Sequence, residues 1–405
     1  MPDHQTNGAT AGILERPLTL PCGIVLKNRI LKSAMSDSLG DGAGNPTDAQ
    51  IALYRRWAEG GAAVAIIGEV QSDPTALEKP GNLVLAETAD TDRFAALAEA
   101  GTAGGAGLWA QLGHAGALAY PPLGNPRGPS ALDTDGLTCA EMTAREIETV
   151  PALFAAGALM ARNNGFTGAQ VHAAHGFLLS QFLSPLFNRR TDRWGGSLEN
   201  RARLLMATIN AVRSAVGPSF PIAVKLNATD RIEGGLSEAE AADIVAMLGD
   251  TSVDLIEISG GTYFPGAKPS GGAKPGEPYF LDFARQARKL TGKPLAAVGG
   301  FKTRAQAAAA VSEGTLDMVG LARALVIDPD LPNEWFAGGN GPEFPHFTEP
   351  QEGAVTAWYT LRLAAHGGAP LPGFGLDDAP DANAALSAYD ARDRDRHPLW
   401  RARFG

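Results

Sequence analysis

The chain has 405 residues and a formal net charge of −10, and 44% of its residues are hydrophobic against 19% charged. This balance supplies a large core, and acidity argues against binding to nucleic acid or to an anionic membrane surface. The chain has only two cysteines, which excludes a disulfide scaffold. No secretory signal is visible, and no apolar run is longer than residues 152–161. We therefore expect a cytoplasmic protein without a membrane span.

Short apolar runs alternate with helical patterns along most of the chain. The predicted strands are Ile30–Met35, Ala63–Ile67, Leu108–Leu112, Ala169–His172, Ile222–Leu226, Leu255–Ile258, Leu295–Val298 and Met318–Gly320. The predicted helices are 47–60, 89–103, 143–163, 199–216, one that begins after Ser237, 282–290, 303–312 and 322–327, with long connections over 113–142 and 176–198. The patterns S/T-x-x-E/Q at Thr143, Ser237 and Thr303 indicate capping boxes at three of these helices.

Eight strand–helix repeats predict an α/β fold in which parallel strands close into a (β/α)8 TIM barrel. A doubly wound sheet is the alternative, although no G-x-G-x-x-G fingerprint follows the first strand. We assign residues 1–340 to the barrel and its lead-in, and 341–405 to an extension with a helix near 356–365 and a mixed-charge terminus over 390–403. Aromatic residues in this extension pack on the barrel or on a second subunit, which leaves a homo-oligomer open.

The loops after strands 7 and 8 of such barrels commonly bind phosphate. Gly299 and Gly300 follow the seventh predicted strand, and Arg323 follows the eighth. Glycine lets backbone N–H groups approach an anion, and the arginine fork matches phosphate oxygens. These residues favour a phosphate site over an ordinary turn beside a surface arginine.

Polar side chains also end the middle strands. His172 and His175 suit a pair of hydrogen-bond donors to a carbonyl oxygen, but with His114 they also leave a metal-dependent hydrolase as a weak alternative. Gln111 suits the edge of a heterocycle such as a flavin pyrimidine. Lys225 lies in an apolar strand, where it either forms a Schiff base or faces an anionic cofactor.

The segment His172–Arg201, HAAHGFLLSQFLSPLFNRRTDRWGGSLENR, resembles the signature of the old yellow enzyme family of FMN-dependent NAD(P)H:flavin oxidoreductases, in the type with two active-site histidines. Further matching pieces lie in the same order along the chain. They are Asn28-Arg29, Ala34-Met35-Ser36, the run from Gln111 to Gly116, Lys225, Val298-Gly299-Gly300 and Arg323. The resemblance covers about residues 13–335 and implies a TIM barrel with non-covalent FMN at its mouth.

The same resemblance implies a role for each matching residue. The FMN phosphate is expected on Gly299, Gly300, Ala322 and Arg323, the pyrimidine edge on Gln111, and N1/C2=O on Lys225, while Ala34, Met35 and Val70 line the ring and Ser36 approaches O4/N5. His172 and His175 are expected to bind the carbonyl or nitro oxygen of an activated alkene, with Phe177 and Ser38 on the substrate side. The implied reaction is ping-pong: NADH or NADPH reduces the flavin, and the alkene then accepts hydride at Cβ and a proton at Cα.

Three positions depart from the pattern of the family. Phe177 stands where most members have the tyrosine that protonates Cα, so the proton must come from water or from another group such as Tyr263, Tyr279 or Tyr359. Ser38 stands where many members have tyrosine, and Trp194 also replaces a tyrosine. Phe177 keeps open an oxidative use of the same scaffold, as a desaturase or demethylase. A flavin-binding barrel without turnover is a further alternative.

Overall fold

Eight parallel strands close into a barrel in the computed structural model. The structure describes residues 12–268 and 276–405. Most of the N-terminal stretch in which no secretory signal is visible therefore lies outside the described residues. The strands are β1 (Ile30–Lys32), β2 (Val64–Gln71), β3 (Gly107–Gly113), β4 (Gly168–Ala173), β5 (Ile222–Asn227), β6 (Leu255–Ser259), β7 (Leu295–Val298) and β8 (Met318–Leu321). Each pairs with the next, and β8 pairs with β1 through Gly320 and Leu31. This closure confirms the TIM barrel and overturns the doubly wound alternative, whose sheet keeps two open edges.

Helices surround the barrel. In chain order they are α1 (Asp48–Glu59), α2 (Thr91–Gly101), α3 (Ala144–Asn163), α4 (Leu178–Leu183), α5 (Leu198–Val216), α6 (Glu238–Gly249), α7 (Leu281–Ala287), α8 (Arg304–Ser312), α9 (Arg323–Ile327), α10 (Leu331–Phe336), α11 (Ala354–His366) and α12 (Ala382–Phe404). Short 3₁₀ turns occur at Pro74–Ala76, Ala103–Gly105 and Gly116–Leu118. Of the helices in the described ranges, none is both long and apolar enough to cross a bilayer.

Short strands lie outside the barrel. Leu18–Thr19 and Val25–Leu26 form a hairpin in the lead-in, and Leu83–Val84 pairs beside β2. The segments Arg127–Gly128, Leu132–Thr134 and Leu137–Glu141 form a small sheet within the connection predicted over 113–142. This long connection therefore contains a three-stranded sheet of its own.

The three predicted capping boxes are present. At Thr143, Ser237 and Thr303 the hydroxyl accepts the N–H of the third helical residue, and the Glu or Gln at that position accepts the N–H of the cap. Such a cap contributes about 1 kcal/mol to helix stability. Side-chain capping thus explains why α3, α6 and α8 begin where the sequence pattern indicates.

Alternate residues of each strand point into the barrel, and their character changes along its axis. The lower layer is apolar and comprises Leu31, Val64, Ile66, Trp109, Ala223, Leu255, Ala296 and Met318. Two residues further along β3, β5 and β6 stand Gln111, Lys225 and Glu257, all buried. The interior is therefore a hydrophobic plug with a polar layer at the ends of the strands where barrel enzymes carry their active sites.

The structure corrects several predicted elements. β1 ends at Lys32 rather than Met35, and the connection over 176–198 contains helix α4. The mixed-charge terminus is the second half of α12, which begins after the Asp381 cap and contains Pro398. α12 lies over loops that follow β1, β2 and β3, where Arg396 donates to the Ser38 carbonyl at 2.9 Å. In this chain the extension therefore contacts its own barrel.

Candidate active site

The two histidines predicted as a pair meet at the end of β4. Their rings are perpendicular, with centroids 5.2 Å apart. Nδ1 of His172 accepts the backbone N–H of Ala174 at 3.2 Å, so the neutral ring carries its proton on Nε2. His175 has φ of +60°, and its Nε2 lies 2.8 Å from the Ser259 hydroxyl, while its backbone N–H donates to Asn227. Both rings are thus held by neighbours that fix their orientation.

Burial makes both imidazoles neutral. It lowers the pKa of His172 well below its ordinary value, and positive charge on the neighbouring His175 or Lys225 would oppose protonation further. Burial, reinforced by Lys225, lowers the pKa of His175 to about 3. A neutral imidazole donates one hydrogen bond without a counterion, which suits it to an oxygen that gains negative charge.

These depressed pKa values predict an acid-sensitive fold. Since unfolded histidine binds a proton near pH 6.5 and folded His175 only near pH 3, the stability that His175 contributes is present above pH 6.5 and is lost as the pH falls through this window. We expect a falling melting temperature between pH 7 and pH 4, and a shallower fall in His175→Asn, because asparagine does not titrate and tolerates a positive φ. Equal slopes for both proteins, measured by calorimetry, would contradict this assignment.

Phe177 and Tyr263 extend the site from His172. The Phe177 ring packs against His172 with centroids 4.8 Å apart, and Tyr263 packs on Phe177 at 5.9 Å. The backbone N–H of Tyr263 donates to the His175 carbonyl at 3.1 Å. Of the three tyrosines considered as proton sources, Tyr263 therefore lies beside the histidines.

The ends of β1 and β2 approach each other closely. A Cβ on Gly68 would come within 2.2 Å of the Met35 carbonyl oxygen, and Val70 is fully buried. The Ser36 hydroxyl is buried and has no hydrogen-bond partner among the residues that the structure describes. Such an orphaned hydroxyl next to a crowded strand end fits a heteroatom of a flat ligand.

Gln111 and Lys225 belong to one polar chain inside the barrel. The Gln111 amide donates to Gln170 at 2.7 Å, and Gln170 donates to Glu257 at 2.6 Å. Nζ of Lys225 lies 3.5 Å from the same Glu257 oxygen and donates to the Ala34 carbonyl at 3.4 Å. Gln111 and Lys225, which the sequence predicts separately, are thus connected through Gln170 and Glu257.

At the other end of the mouth, Gly299 and Gly300 have φ of +112° and +81° and fold against Tyr279. A Cβ on either glycine would come within 2.8 Å of the tyrosine ring. Both positions need glycine for a tight turn that leaves its backbone accessible.

The start of α9 faces the same region of the barrel. Ala322 precedes the helix and cannot cap it with a side chain. No side-chain cap therefore occupies the first backbone N–H donors of α9. The Arg323 guanidinium lies 5.8 Å from the Tyr359 ring and makes no hydrogen bond or ion pair with a described side chain or backbone group. Together with the glycine turn, these donors fit a phosphate group.

The structure does not support the metal-site alternative. His114 accepts the N–H of Gly116 on Nδ1 at 3.0 Å, and burial lowers its pKa to about 4. Within residues 12–268 and 276–405, no three His, Cys, Asp or Glu side chains are grouped as metal ligands. The described part of the chain therefore offers no ligand set for the metal-dependent hydrolase that was the weak alternative.

Sequence reasoning missed several residues of this site. Gln170, Glu257 and Ser259 lie in buried strands, and a polar residue at an inward position of an apolar strand was the available signal. Arg396 carried no such signal, because it lies in an extension more than 350 positions from Ser38. The Ser38 hydroxyl, predicted on the substrate side, is buried 3.4 Å from the Arg396 guanidinium.

The chain is similar to known flavin oxidoreductases. Residues 14–338 match the model of the NADH:flavin oxidoreductase / NADH oxidase family. The NADH-dependent flavin oxidoreductase iliE of Neonectria sp. (strain DH2) is 34% identical over 85% of this chain and 49% of its own length. The protein of the same name from Hypocrea jecorina (strain QM6a) is 36% identical over 78% of this chain and 87% of its own. This chain thus spans about half of the first relative and most of the second.

Solved structures show the same barrel. 2-Naphthoyl-CoA reductase superposes with a TM-score of 0.76 at 30% identity, over 81% of this chain and 53% of that one. Morphinone reductase superposes with a TM-score of 0.71 at 25% identity, over 82% and 91%. The unpartnered Ser36 hydroxyl, the glycine turn and the uncapped start of α9 fit the cofactor of these proteins. The chain belongs to the NADH:flavin oxidoreductase / NADH oxidase family, which is the old yellow enzyme family of FMN-dependent enzymes that use NADH or NADPH.

Proposed function

We propose that this protein reduces the C=C bond of α,β-unsaturated carbonyl or nitro compounds with electrons from NADH or NADPH, the two substrates binding in turn at one place above FMN. The observation that carries the proposal is the pair of neutral histidines at the end of β4, the buried His172 and the half-buried His175, whose orientation is fixed by Ala174, Ser259 and Asn227. Two donors aimed at one oxygen stabilise the enolate-like charge of the transition state. Two of the similar solved structures, 2-naphthoyl-CoA reductase and morphinone reductase, are also named as reductases.

Each group of residues has a part in this proposal. His172 and His175 hold the substrate oxygen and polarise the alkene. Lys225 and Gln111 hold the pyrimidine edge of FMN, Ala34, Met35, Val70 and Ser36 hold its ring, and Gly299, Gly300, Ala322 and Arg323 hold its phosphate. FMN, when bound, would supply the hydride transfer between the nicotinamide and the alkene. Phe177 excludes water from one side of the histidines, where its ring covers His172.

Tyr263 supplies the proton in this proposal, because its backbone N–H donates to the His175 carbonyl and its ring packs on Phe177, which contacts His172. We expect Tyr263→Phe to lower the rate of enone reduction about 10²-fold, at the lower end of general-acid contributions. Tyr120→Phe is the matched control, since it removes a hydroxyl that contacts His397 instead. Steady-state rates with a cyclic enone under anaerobic conditions measure the difference. Equal rates for the two variants would transfer the role to solvent.

The proposed reaction is tested by mixing the anaerobically reduced holoenzyme with cyclohexenone or a nitroalkene in a stopped-flow spectrometer. We expect the flavin absorbance at its visible maximum to return and the saturated product to form in equal amount. Failure of every enone and nitroalkene to reoxidise the enzyme would contradict alkene reduction.

An oxidative reaction on the same scaffold is the second candidate. Phe177 favours it, because phenylalanine at this position cannot donate the proton that alkene reduction needs at Cα. This candidate predicts that saturated substrates reduce the oxidised holoenzyme, whereas enones leave the reduced one unchanged. The same stopped-flow instrument distinguishes the two reactions.

A further inference from the structure

Four polar side chains form one layer across adjacent barrel strands β3 to β6. Gln111 is paired in register with Gln170, and Lys225 is paired in register with Glu257. None of the four is more than 3% exposed. The layer lies directly above the apolar plug, and Lys225 is also paired in register with His172, so the layer adjoins the histidines at the barrel mouth.

The hydrogen bonds of this layer converge on Glu257. One carboxylate oxygen accepts from Gln170 at 2.6 Å and lies 3.5 Å from Nζ of Lys225. Because Gln170 uses its carbonyl for Gln111 at 2.7 Å and its amino group for Glu257, the plane of the Gln111 amide is fixed through Gln170. Glu257 therefore orients Gln111 and Lys225, which lie on different strands.

Stability alone does not explain this carboxylate. Its second oxygen is buried and has no hydrogen-bond partner within residues 12–268 and 276–405. A buried carboxylate that is half satisfied is costly, and an apolar residue of similar volume is often neutral or stabilising at such a place. The arrangement thus indicates that Glu257 serves the binding of a ligand next to this layer.

We propose that Glu257 is a positioning residue that sets the reduction potential of bound FMN. It holds the Lys225 ammonium and offsets part of its positive charge, and through Gln170 it aligns the Gln111 amide. The proposal rests on the placement of Lys225 and Gln111 at the pyrimidine edge given above. Without the negative charge, the full charge of Lys225 acts on the cofactor and favours its anionic reduced form.

Glu257→Gln tests this role, because glutamine keeps the shape and still accepts from Gln170 but carries no charge. In equilibrium reduction against a reference dye, we expect the holoenzyme's FMN potential to rise, with the equilibrium constant for two-electron reduction changing at least tenfold, which equals about 30 mV. Glu257→Asp keeps the charge and should stay near the wild-type potential. An unchanged or lowered potential in the glutamine variant would overturn the proposal.

The controls separate this inference from the placement on which it rests. Asp254→Asn removes another buried carboxylate of the same strand region, one that pairs with Arg213 at 2.6 Å at the opposite end of β6, and should leave the potential unchanged. Lys225→Met should lower the potential. If it does not, the placement of Lys225 beside FMN is wrong. If it does and Glu257→Gln leaves the potential unchanged, the role of Glu257 is wrong.

The Gln170 link has its own readout. Gln170→Leu breaks the connection between Glu257 and Gln111 while leaving the Lys225 ion pair in place. We expect FMN to bind about tenfold more weakly, as for the loss of one well-placed hydrogen bond, with a smaller change in potential than in Glu257→Gln. Fluorescence titration of the apoprotein with FMN measures the affinity, and wild-type affinity would contradict the relay through Gln170.

Discussion

His172→Ala is expected to lower kcat/KM for the enone about 10²- to 10³-fold, the loss typical of one removed oxyanion donor. The Nε2–H of His172 is held as a donor because Nδ1 accepts the Ala174 N–H. Alanine leaves the substrate oxygen with His175 alone. Reduction of the holoenzyme by NADPH should fall less, because no oxyanion develops when hydride leaves a nicotinamide. Stopped-flow measurement of the two half-reactions separates these effects.

The chain offers a matched control for this variant. His114 also accepts the N–H of the residue two positions ahead on Nδ1, and burial also lowers its pKa. It follows β3 and plays no part in the proposed chemistry. His114→Ala should therefore change either half-reaction less than about threefold. If both variants lose the same rate of enone reduction, the effect of His172→Ala is due to local packing. If His172→Ala leaves the enone rate unaltered, His172 is not a hydrogen-bond donor to the substrate.

The barrel strands could be predicted from the sequence because both of their faces are buried. β7 has the predicted bounds, and the other predicted strands overlap β1 to β6 and β8. Parallel strands covered on both sides read as short apolar runs between helices, and this signal is local. The capping boxes were equally local, since each involves residues three positions apart.

α12 could not be predicted in the same way. Its sequence alternates charges around Pro398, and nothing local indicates the surface that it covers. It is held by distant contacts: Trp400 is buried beside Leu77 and Val84, and Arg396 reaches Ser38. Such contacts depend on how the loops after β1 and β2 fold, and the sequence pattern of the helix does not contain that information.

The residues of the site also divide into those that a local sequence pattern indicates and those that only distant contacts identify. Residues at strand ends, such as His172 and Lys225, were identified because their place in the strand order sets their place in space. Ser259 and Glu257 were missed, although each is a polar residue in the buried run Leu-Ile-Glu-Ile-Ser. Their meaning comes from contacts with His175 and Lys225 on neighbouring strands, which only the closed barrel brings together.

Gly300→Val is expected to weaken FMN binding at least about 100-fold. Gly300 has φ of +81°, and a Cβ there would lie 2.7 Å from the Tyr279 ring and 2.9 Å from Cα of Pro278. Valine is strained in this left-handed region and would push the turn away from the start of α9. The backbone donors of the turn and those of α9 would then no longer reach one phosphate. Titration of the apoprotein with FMN, followed by flavin fluorescence, measures the dissociation constant.

Gly314→Val is the control that separates two possible effects of Gly300→Val, namely backbone strain and loss of the phosphate site. Gly314 has φ of +72°, but nothing lies within 4 Å of its Cβ position, and it follows α8. This control carries the strain of valine at a positive φ without touching the turn, so FMN should bind as in the wild type. Arg323→Met, which removes a charge and leaves the turn intact, should weaken binding about tenfold. If Gly300→Val keeps the wild-type affinity while Arg323→Met loses it, the phosphate rests on α9 alone and the glycine turn serves only to pack Tyr279.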